Sequence, residues 1–319
     1  MKTAASACKG GKTEHHAVLT DIQNGQLYVL DLDAEDPTAE EAVLWHWKPD
    51  PALGWQCGVD RHRRALSGVV RRWSEYYQTD VVLLTSAFEW VGIAEYPSGK
   101  CLWEQRVEGC PHAMEILPNG DVVVAASGAY NWYKGSIMYF NLSAGENSTM
   151  TDKVLFPDVH GVLYDPRENV IWTVGRYMLA AYEVVQSERG PKLSLVPDKG
   201  GRLPTDEGHN LSPDYHDPDY IWVSTQFGVY KFCKSRNEIL EEYPLSEYMK
   251  DLKKTKGIAS FRDGTVAYVS YGDGDTNYVF QDKFSVLWPT EDGGTELKTY
   301  TITSGPLWNK IRNFTTKQL

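Results

Sequence analysis

Cysteine is scarce in this chain: five in 319 residues, at Cys8, Cys57, Cys101, Cys110 and Cys233, with no Cys-x-x-Cys. That spacing supports neither a zinc ribbon nor a disulfide framework. Long apolar runs are missing too, and none approaches the roughly 18 residues a membrane span needs. Positive charge is in deficit, with 32 Lys+Arg against 43 Asp+Glu and a net charge of -11. Broad binding to nucleic acid or to an anionic membrane is therefore not expected. No segment keeps a 3.6-residue apolar period for three turns; the best helical candidate, Ile239–Lys254, is interrupted by Pro244. The Gly-x-Ser-x-Gly, P-loop, Rossmann and His-Glu-x-x-His patterns are absent, so those enzyme classes lose support.

The opening stretch, Met1 to His16, is polar and has no apolar core, so it is no signal peptide as it stands. A cytoplasmic location is expected if Met1 is the native start, and a secreted one if a leader has been removed. The glycosylation sequons at Asn141, Asn147, Asn210 and Asn313 matter only in the second case.

What the chain does have is β structure. Aromatics supply 12% of its residues, and short β-branched runs are punctuated by Gly, Pro, Asn and Asp every eight to twelve residues. The runs repeat. His112-Ala-Met-Glu-Ile-Leu-Pro-Asn-Gly-Asp-Val-Val-Val aligns with His160-Gly-Val-Leu-Tyr-Asp-Pro-Arg-Glu-Asn-Val-Ile-Trp, with the block from His209 and with Lys256-Gly-Ile-Ala-Ser-Phe-Arg-Asp-Gly-Thr-Val. The anchors are spaced by 48, 49 and 47 residues. A period of that length carrying four strands is a propeller blade.

The expected fold is all-β, a six-bladed β-propeller in one domain over 15–315, after a tail at 1–14. Blades fall at about 15–50 with 306–315, 55–108, 110–157, 158–204, 207–250 and 254–303. The N-terminal blade begins at a second strand, His16–Gln23, and lacks an innermost one. The spare strand Leu307–Phe314 fills that gap and removes the open sheet edge. In the second blade the first strand is expected within Gln56–Val70, with Arg71–Thr79 as an inserted loop. Two side-by-side sandwiches are the alternative architecture.

In a propeller the residues that enter each first strand converge on one channel mouth. Here these are His112, His160, His209 and Lys256, so three of the chain's eight histidines share one repeat position. Two readings follow. Each imidazole can be a packing device that fixes the ring through a hydrogen bond, or the set can be a catalytic cluster. In the catalytic form one His acts as general acid/base while Arg and Lys stabilise an anion. Three neutral imidazoles could instead hold a divalent metal. The metal-free form is favoured because no companion carboxylate recurs at these positions, Asp60 being the nearest. No cofactor is otherwise expected. Substrate contacts are expected from Arg61, Arg63 and Arg64, which share a basic cluster with Arg71 and Arg72, and from Arg176, Gln226, Tyr130, Trp132, Tyr177 and Tyr271. The Asp273-Gly-Asp275 stretch lacks the twelfth-position Glu of a calcium loop and reads as a solvated turn.

At Cys110-Pro-His112-Ala-Met-Glu-Ile-Leu-Pro-Asn-Gly-Asp, Val159-His160-Gly-Val, Gly208-His209-Asn-Leu and Thr255-Lys256-Gly-Ile the chain resembles a family of six-bladed propellers from bacteria and fungi. That family is labelled a domain of unknown function. The resemblance covers nearly the whole chain and implies the fold but no activity. Ala113 and Gly257 depart from the serine it implies after His and after Lys. More distant analogies of fold are polysaccharide lyases with channel-mouth histidines and fungal hetero-Diels–Alderases of tropolone biosynthesis. The expected function is a cofactor-independent lyase, isomerase or cyclase, including a pericyclase, acting on a small organic or sugar-derived substrate. A polysaccharide lyase on uronic-acid glycans and a non-catalytic binding scaffold are the alternatives. The chain is expected to be monomeric, with a small-molecule or oligosaccharide ligand.

Overall fold

The computed structural model describes residues 13–21, 24–59, 66–128, 134–270, 283–302 and 311–316. Strands β1 (His16–Asp21), β2 (Gln26–Asp31) and β3 (Val43–Trp47) begin the first blade. The second contains β4 (Leu66–Ser74), β5 (Thr79–Ser86), β6 (Trp90–Glu95) and β7 (Cys101–Arg106). The third contains β8 (Cys110–Ile116), β9 (Val122–Ser127), β10 (Ser136–Phe140) and β11 (Met150–Leu155). In the fourth are β12 (Gly161–Asp165), β13 (Val170–Val174), β14 (Met178–Ser187) and β15 (Gly190–Arg202). The fifth has β16 (Asn210–Pro213), β17 (Tyr220–Ser224), β18 (Val229–Cys233) and β19 (Glu238–Leu240). A short helix, α1 (Ser246–Met249), precedes the sixth, which holds β20 (Gly257–Ser260), β21 (Val266–Val269), β22 (Lys283–Pro289) and β23 (Thr295–Thr301). The last strand, β24 (Ile311–Thr316), returns to the first blade and pairs antiparallel with β1, giving the order β24-β1-β2-β3.

The six four-stranded sheets form a closed ring, a six-bladed β-propeller. Their innermost strands touch in sequence around it: β24 to β4, β4 to β8, β8 to β12, β12 to β16, β16 to β20, and β20 back to β24. A hydrophobic core lies in each of the six seams between blades. The second strands explain why the sequence carries unbroken apolar runs. Each is covered on both faces, so alternate residues feed different seams. In β9, Val122 and Val124 pack toward the second blade while Val123 and Ala125 pack toward the fourth.

One local expectation is corrected. Arg71–Thr79 is no inserted loop: β4 runs through Ser74, with Arg71 opposite Val82 and Arg72 opposite Val81, and the turn is confined to 75–78. Two arginines hid the strand because each is ion-paired inside the fold. Arg71 pairs with Asp80 and lies 3.8 Å over the Tyr96 ring, and Arg72 pairs across the seam with Glu115. The fourth blade's outer strand, β15, is long and reaches Arg202 through a bulged pairing with β14. The fifth blade's outer strand stops at Leu240, and the Tyr243 hydroxyl instead donates to the Val229 carbonyl. No helix among the described residues is long and apolar enough to cross a membrane.

Candidate functional site

The position of His112 is set by a β-bulge. Pro111 opposes Ala126 and Ala113 opposes Ala125, so His112 is the extra residue and its side chain is re-aimed. In β4 the same irregularity falls between Leu66 and Gly68 and singles out Ser67. His160, His209 and Lys256 each lie one residue before their first strand, with backbone N–H groups donating to Val174, Ser224 and Val269. Ser67, His112, His160, His209 and Lys256 therefore hold one equivalent position in five successive blades. They line one cavity inside the ring. In the second blade this position belongs to Ser67, whose hydroxyl donates across the seam to the Pro111 carbonyl. Gly68 is needed beside it, since a Cβ there would meet the backbone of His112.

The imidazoles pack against one another. His112 stacks on His160 with ring centroids 4.1 Å apart and 23° between planes, and His160 meets His209 edge-on at 4.4 Å. The Lys256 Nζ stands 2.5 Å from Nε2 of His209 and 3.3 Å from its Nδ1. An ammonium can only donate, so Nε2 of His209 presents its lone pair there. His160 Nδ1 lies 2.8 Å from the Asp158 carbonyl, which can only accept. Nδ1 therefore carries a proton. His112 Nε2 meets the Ser127 hydroxyl at 3.1 Å.

Two carboxylates that the sequence pattern did not single out stand behind this cluster. Asp158 Oδ1 is 3.6 Å from His160 Nδ1, and Arg176 Nη1 is 3.6 Å from both Asp158 Oδ2 and Glu207 Oε1. Burial pushes the Asp158 carboxyl up to about 6; Arg176 opposes the rise, Glu207 adds to it and Lys256 opposes it. Its backbone is in the left-handed region, at φ 50°, an uncommon conformation for a residue with a Cβ. The signal was in the repeat: Asp158 and Glu207 each precede a histidine by two residues.

The far end of the cavity is closed by a second charged group. Arg72 Nη2 and Nε bond the Glu115 carboxylate at 2.5 and 3.1 Å, and Tyr215 lies beside them. Both partners are buried. Burial raises the Glu115 carboxyl, and Arg72 counters that rise. Between the two ends the walls are largely apolar, with Val70, Leu83, Met114 and Ile258. The space is narrow, about 80 Å3. That holds a handful of waters, each needing roughly 10–15 Å3.

The remaining candidates divide. Arg176, Tyr177 and Gln226 occupy turns at the histidine mouth and do not line the cavity. Tyr177 is a platform for arginines instead: its hydroxyl accepts from Arg176 Nε at 3.2 Å, and the Arg202 guanidinium lies 5.7 Å from its ring. Gln226 holds the turn through its backbone, accepting from Lys254 N–H. Asp60, Arg61, Arg63, Arg64, Tyr130, Trp132, Tyr271 and Asp273–Asp275 lie outside the described residues. Among the described residues no group of three His, Cys, Asp or Glu side chains is arranged to hold a metal ion.

No family model matches the chain and no curated protein is similar to it, so the resemblance to a domain of unknown function has no support beyond the fold. Solved structures do share the architecture. A functionally unknown protein from Desulfotomaculum acetoxidans has 11% identity and a TM-score of 0.52, over 90% of this chain and 80% of that one. A protein of unknown function from Bacteroides caccae has 10% identity and a TM-score of 0.55, over 96% and 99%. A chain of a mitotic checkpoint complex has 9% identity and a TM-score of 0.55, over 90% and 74%. At such identities the likeness is one of fold alone.

Proposed function

We propose that the chain is an enzyme that moves protons on a small organic acid or carbonyl compound at the His112–His160–His209–Lys256 cluster. The reading is of lyase, isomerase or cyclase type and uses no nucleotide or redox cofactor. The observation that carries it is the packing of three imidazoles and an ammonium into one cavity, backed by a carboxyl that titrates near pH 6. Groups poised near neutrality are suited to give and take protons.

Lys256 polarises a substrate oxygen, drawing electron density from the adjacent carbon. His160 Nε2 takes the proton from that carbon, with its Nδ1 proton anchored on the Asp158 carbonyl and the Asp158 carboxylate steadying the imidazolium. Return of that proton to another atom gives isomerisation, and its delivery to a leaving group gives elimination.

The reaction can be tested before its full substrate is identified. A panel of 2-keto and 3-keto acids is incubated in D2O, and loss of the acidic C–H signal is followed by proton NMR. Exchange above buffer with the wild type, reduced roughly 100-fold in His160→Ala and Lys256→Met, supports the reading. Equal exchange by wild type and both variants removes it and leaves a non-catalytic scaffold.

A further inference from the structure

The opposite mouth of the ring carries a cavity that the proton-transfer reading does not use. It measures about 250 Å3 and sits between the fourth and fifth blades. Turns that join first to second strands build it: 166–169 in blade four, 214–219 in blade five and 261–265 in blade six. All lie on the face away from the histidines.

Its charge is at odds with the rest of the chain. Arg72, Arg167, Lys234 and Arg262 line it with two carboxylates, Asp165 and Asp214, in a protein of net charge -11, and Arg72 is already paired with Glu115. Both carboxylates are buried in pairs at the back. Asp165 takes Lys234 at 2.5 Å, and Asp214 takes Lys231 at 2.6 Å. The exposed front of the cavity is thus set by Arg167 and Arg262, whose planar forks suit carboxylate or phosphate oxygens. The other walls are flat and largely carbon: Tyr164, Tyr215 and Tyr220 with three prolines. Aromatic and proline faces accept a ring by stacking.

We infer that this cavity binds a small aromatic anion, with its phosphate or carboxylate between Arg167 and Arg262 and its ring against the tyrosines. Two arginines favour a doubly charged group, so an aryl phosphate is the better ligand of the two. The site is independent of the histidine cluster, from which the Arg72–Glu115 pair separates it.

Isothermal titration with phenyl phosphate, benzoate and inorganic phosphate tests this on the full chain. Phenyl phosphate is expected to bind one to one, with benzoate weaker and inorganic phosphate at least tenfold weaker. Arg167→Gln and Arg262→Gln, on exposed turns, are each expected to melt with the wild type and to lose at least tenfold in affinity. Lys256→Met is expected to leave the affinity unchanged, so failure here is separable from failure at the histidines. Absence of saturable binding overturns the inference. So does binding that Lys256→Met abolishes while the arginine variants keep it, or phosphate binding as tight as that of phenyl phosphate.

Discussion

His112 and His160 lie face to face, 4.1 Å between ring centroids, although they belong to different blades. The pair lines the cavity on one side and is hydrogen-bonded on the other, to Ser127 and to the Asp158 backbone. Replacing either by alanine removes about one hydrogen bond, worth about 1 kcal/mol, and little apolar burial. His112→Ala, His160→Ala and His209→Ala should each melt within a few degrees of the wild type. Proton exchange on the keto-acid panel should fall roughly 100-fold in His160→Ala. If all three unfold the protein while the folded remainder keeps wild-type exchange, the histidines are structural staples.

Asp158 gives a pH signature of unusual sign. Its carboxyl is raised from 3.8 to about 6, chiefly by burial, so the folded chain keeps a proton that the unfolded chain has already released. Stability must then fall as pH rises between those two values, and the loss is complete above about 6. Asp158→Asn carries no such charge. Thermal melts should show the variant more stable than the wild type at pH 7.5, with the advantage vanishing by pH 3.5. A wild type that gains on the variant as pH rises would mean that Arg176 outweighs the burial.

Much of this could be read from the chain because repetition turns register into geometry. The second strands stood out as apolar runs because both faces are covered, as Val122 to Ala125 illustrate. The shared position of His112, His160, His209 and Lys256 fixed their convergence without any contact being known. What escaped depends on partners distant in sequence. Arg72 looked like loop because its strand pattern is interrupted by charge, and nothing local announces Glu115 as its partner across the seam. Asp158 and Glu207 repeat at the same offset from a histidine, but only packing shows that Arg176 joins them. Ser67 stands 45 residues before His112, short of the 47–49 between the other anchors, so the period does not reveal it.

The Arg72–Glu115 pair makes a sharp energetic test. Its side chains are 11% and 4% exposed, so removing one partner strands a charge in an apolar wall. Arg72→Ala should cost about 3–5 kcal/mol in urea unfolding. A double change, Arg72→Met with Glu115→Leu, should recover most of that, because apolar partners of similar volume often replace a buried pair at no loss. A double variant as unstable as the single one would show that shape, not charge, closes the channel.

Ring closure rests on β24, which pairs with β1 and packs between β4 and β20. Without it β1, β4 and β20 lose a neighbour and the first blade exposes an unpaired edge. A second clasp crosses the same seam: His15 Nδ1 lies 2.9 Å from Asp33 Oδ1, and its Nε2 lies 2.9 Å from Asp263 Oδ2 in the sixth blade. Phe261 and Trp288 meet the ring edge-on at 4.8 and 4.9 Å. His15→Ala should lower stability by about 1.5–3 kcal/mol, the range for hydrogen bonds to charged groups, while leaving the fold intact. Deleting the residues after Thr303 should do far more and abolish cooperative unfolding, because a clasp of two bonds cannot replace a strand. Circular dichroism melts of both variants beside the full chain decide the matter. A truncated protein that melts like the full chain would show that the ring closes without its last strand.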